Sequence, residues 1–131
     1  MFAAIVADGS NGFAYINETF GRDAGDEVLR EVAALLERVC RRGDTVTRVA
    51  ADEFVMLLHG ASGGDARVVL ERIRQLIAAR SWSALPDDVR LTVSVGACIG
   101  IGPDAAPVLR LAATDALRQA KAGGGDRITF R

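Results

Sequence analysis

The sequence is poor in the residues that usually announce a stacking surface, a disulfide framework or a transition-metal centre. Aromatics make up 5% of its 131 residues, with one tryptophan and one tyrosine, too few for a base-stacking platform. Its two cysteines, Cys40 and Cys98, stand far apart. That excludes zinc-type spacing and a disulfide framework, and makes a reducing cytoplasm the default expectation. The one histidine, His59, ends a strand-like run with no partner in view. No apolar run approaches the roughly 18–20 residues of a membrane span. Phe2 to Ala7 is short, lacks a basic leader and reads as a strand, not a signal peptide. An excess of one charge is also missing: 16 Lys and Arg face 17 Asp and Glu, which argues against a broad nucleic-acid-coating surface.

What remains is an ordinary globular balance, 50% hydrophobic and 25% charged, of a length that suits one domain. Met1 to Ala7 reads as a buried strand, bounded by the turn-forming run Asp8 to Gly12. Phe13 to Phe20 places Phe13, Ile16 and Phe20 on one helical face, and Gly21 stops it. The next helix is the clearest element. Asp23 is its candidate N-cap, Asp26 and Glu27 its first-turn anions, and Val28, Leu29, Val32, Leu35, Leu36 and Val39 its apolar stripe. Arg38, Arg41 and Arg42 gather at its end, with Gly43 as the C′ residue.

Thr45 to Val49 and Phe54 to His59 read as a hairpin around Ala50-Ala51-Asp52-Glu53. No Gly or Asn stands at its tip, so the turn either avoids positive φ or strains an alanine by about 1 kcal/mol. After the Gly60 to Gly64 loop, Asp65 is the candidate cap of a helix to about Arg80, with Val69, Ile73, Leu76 and Ile77 facing inward. Leu91 to Ile101 alternates strictly, a strand with two different faces. Pro107 to Ala122 reads as a last helix and Ile128 to Phe130 as a last strand. The order β-α-α-β-β-α-β-α-β predicts an α+β fold, a mixed central sheet with helices packed on it.

Several of these segments together resemble GGDEF domains, the diguanylate cyclases. They are Ile16 to Gly21, Ala24 to Leu29, Arg48 to Phe54, Thr92 to Ala97, and Ala116-Leu117 with Ala120-Lys121, in the family's order across nearly the whole chain. The resemblance implies a nucleotide-cyclase-like palm. The family joins two GTP molecules into cyclic di-GMP by two-metal chemistry at its signature turn, with two domains facing each other. The family's helix and turn before the first strand have no counterpart, so the resemblance also implies a single degenerate GGDEF domain over 1–131, cut from a longer multidomain protein.

Residue by residue, the resemblance implies a damaged catalytic half. The first metal-ligand position falls on Gly9, one residue past Asp8, and a one-residue shift on a strand end turns a side chain to the other face; a shift of register would restore Asp8 as the metal ligand. The second loop aspartate is Asn11, and the usual lysine is Ala14. The signature Gly-Gly is Ala50-Ala51, whose methyl groups would crowd a phosphate approaching the backbone. Asp52 and Glu53 remain as metal-binding, remnant catalytic residues. Asn17 and Asp26 match the guanine-contacting pair, and Lys121 a phosphate-contacting lysine, while the following arginine is Gly125. Arg41-Arg42-Gly43-Asp44 stands five residues before the signature, in register with the family's inhibitory Arg-x-x-Asp site for cyclic di-GMP, and Arg72 is the candidate third residue.

The implied function is a catalytically impaired or inactive GGDEF domain in bacterial cyclic di-GMP signalling, acting as a regulatory or receptor module in the cytoplasm. The competing readings are an active or weak diguanylate cyclase, a GTP-binding regulator, and a protein-interaction domain without nucleotide. Mg2+ or Mn2+ is implied only with bound nucleotide. Implied partners are cyclic di-GMP or GTP, an adjacent sensor or phosphodiesterase domain or a protein partner, and a second copy in a homodimer, with no nucleic acid. Each assignment has a plainer alternative. Arg41 and Asp44 suit a helix end and its loop, Asp26 a first helical turn, Asn17 a cap, Arg72 a solvated helix face, and Trp82 and both cysteines ordinary packing.

Overall fold

A buried apolar strand needs partners on both edges, and this chain supplies them. In the computed structural model, which describes residues 1–9, 13–59, 63–100 and 106–131, β1 (Phe2–Gly9) is the centre of a five-stranded sheet of order β2-β3-β1-β4-β5. The hairpin β2 (Thr45–Arg48) and β3 (Glu53–Leu57) lies on one side, and β4 (Leu91–Cys98) with β5 (Arg127–Phe130) on the other. All pairings are antiparallel except β4 with β5. The expected element order and mixed sheet are therefore both present, and β1 runs two residues further than the sequence pattern suggested.

Helices α1 (Phe13–Phe20), α2 (Arg22–Val39) and α3 (Gly63–Ala79) cover one face. Their stripes meet Ala3, Ile5 and Ala7 of β1, Phe54 and Met56 of β3, and Leu91, Val93, Val95 and Ala97 of β4 in the main core. Helix α4 (Ala106–Ala122) covers the other face, where Ala113 and Leu117 pack with Ala4 and Cys98.

Several local expectations are corrected. Helix α2 is capped by Gly21 at φ 93°, not by Asp23, which lies in its first turn; Asp26 and Glu27 come later. At its other end α2 stops at Val39 with an extended Cys40, so Gly43 (φ 93°) is not a C′ residue but part of the turn that follows. In α3, Asp65 sits in the first turn instead of capping it. Leu76 is 44% exposed, whereas Leu70, outside the expected stripe, is fully buried. The two faces that the alternation of β4 predicts are present and both are covered: Leu91, Val93, Val95 and Ala97 join the main core, while Ser94 is 0% exposed and Gly96 is buried under α4. Small residues there admit a helix, not water. The strand ends at Cys98, and Ile101 lies outside the described residues.

Candidate functional site

The signature turn is built by the β2–β3 hairpin. Its amides close on Glu53: Val49 N donates to Glu53 O at 2.9 Å. Ala7 N donates to Asp52 O at 2.9 Å and Glu53 pairs with Val6, so the turn sits against the C-terminal part of β1. Neither alanine has positive φ, which answers the question the glycine-free tip posed: the turn avoids the left-handed region. Arg48 folds back over it, donating from Nε to Ala51 O at 3.0 Å and to Ala50 O at 3.3 Å. That clamp was not anticipated. Its only signal was an arginine two residues before the first alanine of the turn.

Asp52 and Glu53 are half-buried. Past Val6, Asp8 and Gly9 pair with Thr92 and Leu91 of β4. The Asp8 side chain lies outside the description, as does Asn11. Among the described residues no three His, Cys, Asp or Glu side chains cluster to hold a metal ion. Lys121 is exposed in the last turn of α4. Gly125, where the resemblance expects an arginine, has φ 75°, a conformation that favours glycine.

Asn17 of α1 lies close against Gly25 of α2. A Cβ on Gly25 would stand 1.9 Å from Asn17 Oδ1 and 3.2 Å from the Phe13 ring. Gly25 thus lets the Asn17 carboxamide sit beside the turn carrying the exposed Asp26, a role the sequence reading did not assign.

The third group assembles between α2 and α3. A cleft of about 480 Å³ is lined by Arg38, Arg41, Arg72 and Arg80 over Leu35, Val39, Val69 and Leu76. Arg41 and Arg72, distant in sequence, therefore share one cavity. Asp44 borders a smaller hollow beside it with Arg41, His59 and Val69. Its carboxylate accepts from Arg41 N and His59 N, both at 2.9 Å, and Asp44 N donates to Arg41 O at 3.0 Å. Burial pushes the Asp44 carboxyl up, but those two amides with the nearby Arg41 and His59 charges outweigh it and leave its pKa below the usual value. Burial, then the Asp44 and Glu37 charges, push the Cys40 thiol up, which disfavours the nucleophilic thiolate. His59 serves through its backbone amide. Among the described residues Arg38, Arg41 and Arg72 form no ion pair. The cleft therefore combines an excess of positive charge with an apolar floor, a combination suited to a flat anion such as a nucleotide.

Residues 2–127 match the family described as "Diguanylate cyclase, GGDEF domain". The chain belongs to the GGDEF family. Among its relatives, Diguanylate cyclase DgcM of Escherichia coli is 39% identical over 116 residues, 88% of this chain and 28% of that protein. Diguanylate cyclase A of Treponema denticola is 33% identical over 119 residues, 90% of this chain and 32% of that protein. The chain thus spans about a third or less of the length of these relatives. Among solved structures, the GGDEF domain of DgcB from Caulobacter crescentus, in complex with c-di-GMP, superposes with a TM-score of 0.83. It is 26% identical, and the match covers 98% of this chain and 77% of that one. The expected α+β palm is the fold of these GGDEF neighbours.

Proposed function

We propose that this GGDEF domain is a catalytically impaired module of bacterial cyclic di-GMP signalling that binds cyclic di-GMP in the α2–α3 cleft. The observation that carries the reading is that Arg41 and Arg72 line one cavity, with neither in a side-chain ion pair among the described residues. Guanidinium forks suit phosphates and guanine edges. Asp44 acts here as a positioning residue, its two amide contacts shaping the turn that presents Arg41. The c-di-GMP complex of the DgcB domain supports the choice of ligand.

The impairment follows from the signature turn. In-line displacement on GTP needs charge and positioning together. Here Ala50-Ala51 replaces the glycines, Gly9 offers only a carbonyl, and Arg48 occupies the turn's outer carbonyls. Mg2+ or Mn2+ would accompany a nucleotide bound near Asp52 and Glu53, with Asn17 and Asp26 on the guanine and Lys121 on a phosphate. The competing reading, a weak diguanylate cyclase, is favoured by the retained Asp52 and Glu53 and by relatives named as cyclases. An adjacent sensor or phosphodiesterase domain, and a cytoplasmic setting, fit the same role. No helix of the described residues is long and apolar enough to cross a membrane.

Calorimetry with cyclic di-GMP tests the receptor, and incubation with GTP and Mg2+ or Mn2+ tests the impairment. Saturable binding is expected, weakened at least about tenfold in Arg41→Ala, as suits loss of a charge-assisted contact, with no product from GTP. Binding indifferent to Arg41→Ala would sink the receptor. Product that disappears in Asp52→Ala would establish the cyclase instead.

A further inference from the structure

The α2–α3 cleft has a far end that the Arg41–Asp44–Arg72 group does not reach. The two helices run antiparallel. Val39 at the end of α2 meets Val69 near the start of α3, while Glu31 in the middle of α2 meets Arg80 just past α3. Arg72 and Arg80 are separated by about 12 Å of helical rise, yet both line the same cleft. The cavity therefore carries cations at both ends and apolar side chains between them.

Arg80 is poorly satisfied where it rests. Its Nη2 stands 3.7 Å from Glu31 Oε1, outside hydrogen-bond range. Its Cζ lies 5.1 Å from the centroid of the Trp82 ring. Arg80 Nε, Glu31 Oε2 and Trp82 Nε1 are buried with no hydrogen-bond partner among the described residues, and Glu31 Oε1 already accepts from Ser83 Oγ at 3.1 Å. Buried polar atoms are normally paired. Three orphans in one cluster, one of them on a residue that lines a cationic cleft, mark a side chain with a second place to go.

We propose that Arg80 is a second anion-binding residue of this cleft, leaving Glu31 and Trp82 to meet a ligand that carries two phosphate groups. Arg41 and Arg72 hold one phosphate and Arg80 the other, over the apolar floor. Glu31 competes with the ligand for Arg80. The inference rests on the receptor reading only for the ligand's identity, cyclic di-GMP. Arg80's own role concerns any phosphate-bearing occupant.

Trp82 is the single tryptophan and reports on the move. Its emission and the calorimetric affinity are followed with cyclic di-GMP and, separately, inorganic tripolyphosphate, in the wild type, Arg80→Ala, Glu31→Gln and Arg41→Ala. A saturable emission change is expected, with affinity about tenfold weaker in Arg80→Ala and a few-fold tighter in Glu31→Gln, whose amide still accepts from Ser83. The gain in Glu31→Gln keeps the test decisive should Arg80→Ala not fold. If Arg41→Ala weakens binding while neither Arg80→Ala nor Glu31→Gln changes it, the Arg80 role is overturned and the receptor stands. If tripolyphosphate binds through Arg80 while cyclic di-GMP does not bind, the Arg80 role stands and the receptor reading falls. Indifference of Trp82 and of affinity to both probes overturns both.

Discussion

Asp44 shows how one side chain can tie two segments of backbone together. Each carboxylate oxygen accepts one backbone amide, from Arg41 and from His59, so the carboxylate ties the end of α2 to the end of β3. An asparagine has only one acceptor atom and must turn its NH2 group toward the other amide. Asp44→Asn is therefore expected to lower stability by about 1 kcal/mol at neutral pH, read by urea unfolding. The sign with pH follows from its lowered pKa. The contribution is complete above the unfolded value of about 3.9 and is lost as pH falls through the lower folded value. The gap between wild type and variant should thus narrow only below about pH 4. A gap independent of pH would show that the carboxylate is not the holding group. The Arg-x-x-Asp spacing was legible in the sequence. That its aspartate is spent on backbone amides was not, because His59 reaches it only through the fold of the hairpin.

At the scale of elements, β4 and α4 meet backbone against backbone. A Cβ on Gly96 would lie 2.1 Å from Leu117 N and 2.2 Å from Ala113 O. These are backbone atoms of a helix that cannot shift locally. Gly96→Ala is expected to cost about 1–3 kcal/mol by overpacking. Gly64→Ala, with nothing within 4 Å of the new carbon, should be neutral or slightly stabilising, since alanine is the better helix former. Equal denaturation midpoints for the two variants would refute the packing account. The same join explains why the period-2 pattern of β4 was read as two unlike faces. Thr92, Ser94, Gly96 and Cys98 look polar or small because α4 must come close, and periodicity cannot tell closeness from solvent. Arg74 makes a comparable tie across elements, joining α3 to the α4–β5 turn. It pairs with Glu71 on its own helix and with Asp126 at 2.9 Å, where Asp126 holds φ 48°.

For the whole molecule, stability and ligand binding draw on different forces. The core is apolar on both faces of the sheet, and ion pairs such as Arg30–Glu27 and Arg118–Asp115 are exposed neighbours on one helix, worth little each. The α2–α3 cleft, in contrast, collects four arginines. Raising salt from about 0.05 to about 0.5 M, which shortens the screening length severalfold, should leave the melting temperature nearly unchanged. Over the same range cyclic di-GMP binding should weaken severalfold. Salt-independent binding would place the ligand outside the arginine cleft. The split between sequence and structure falls along the same line. Sequence alone determined the helices, the central strand, the family and the two alanines at the tip of the hairpin. Each of those is written in local periodicity or in the identity of single residues. The joining of Arg41 with Arg72, the orphaned Arg80 cluster, the Arg48 clamp and the buried second face of β4 were decided only by tertiary structure. They depend on how two helices and a hairpin settle against a sheet, and that register belongs to packing, not to any one segment.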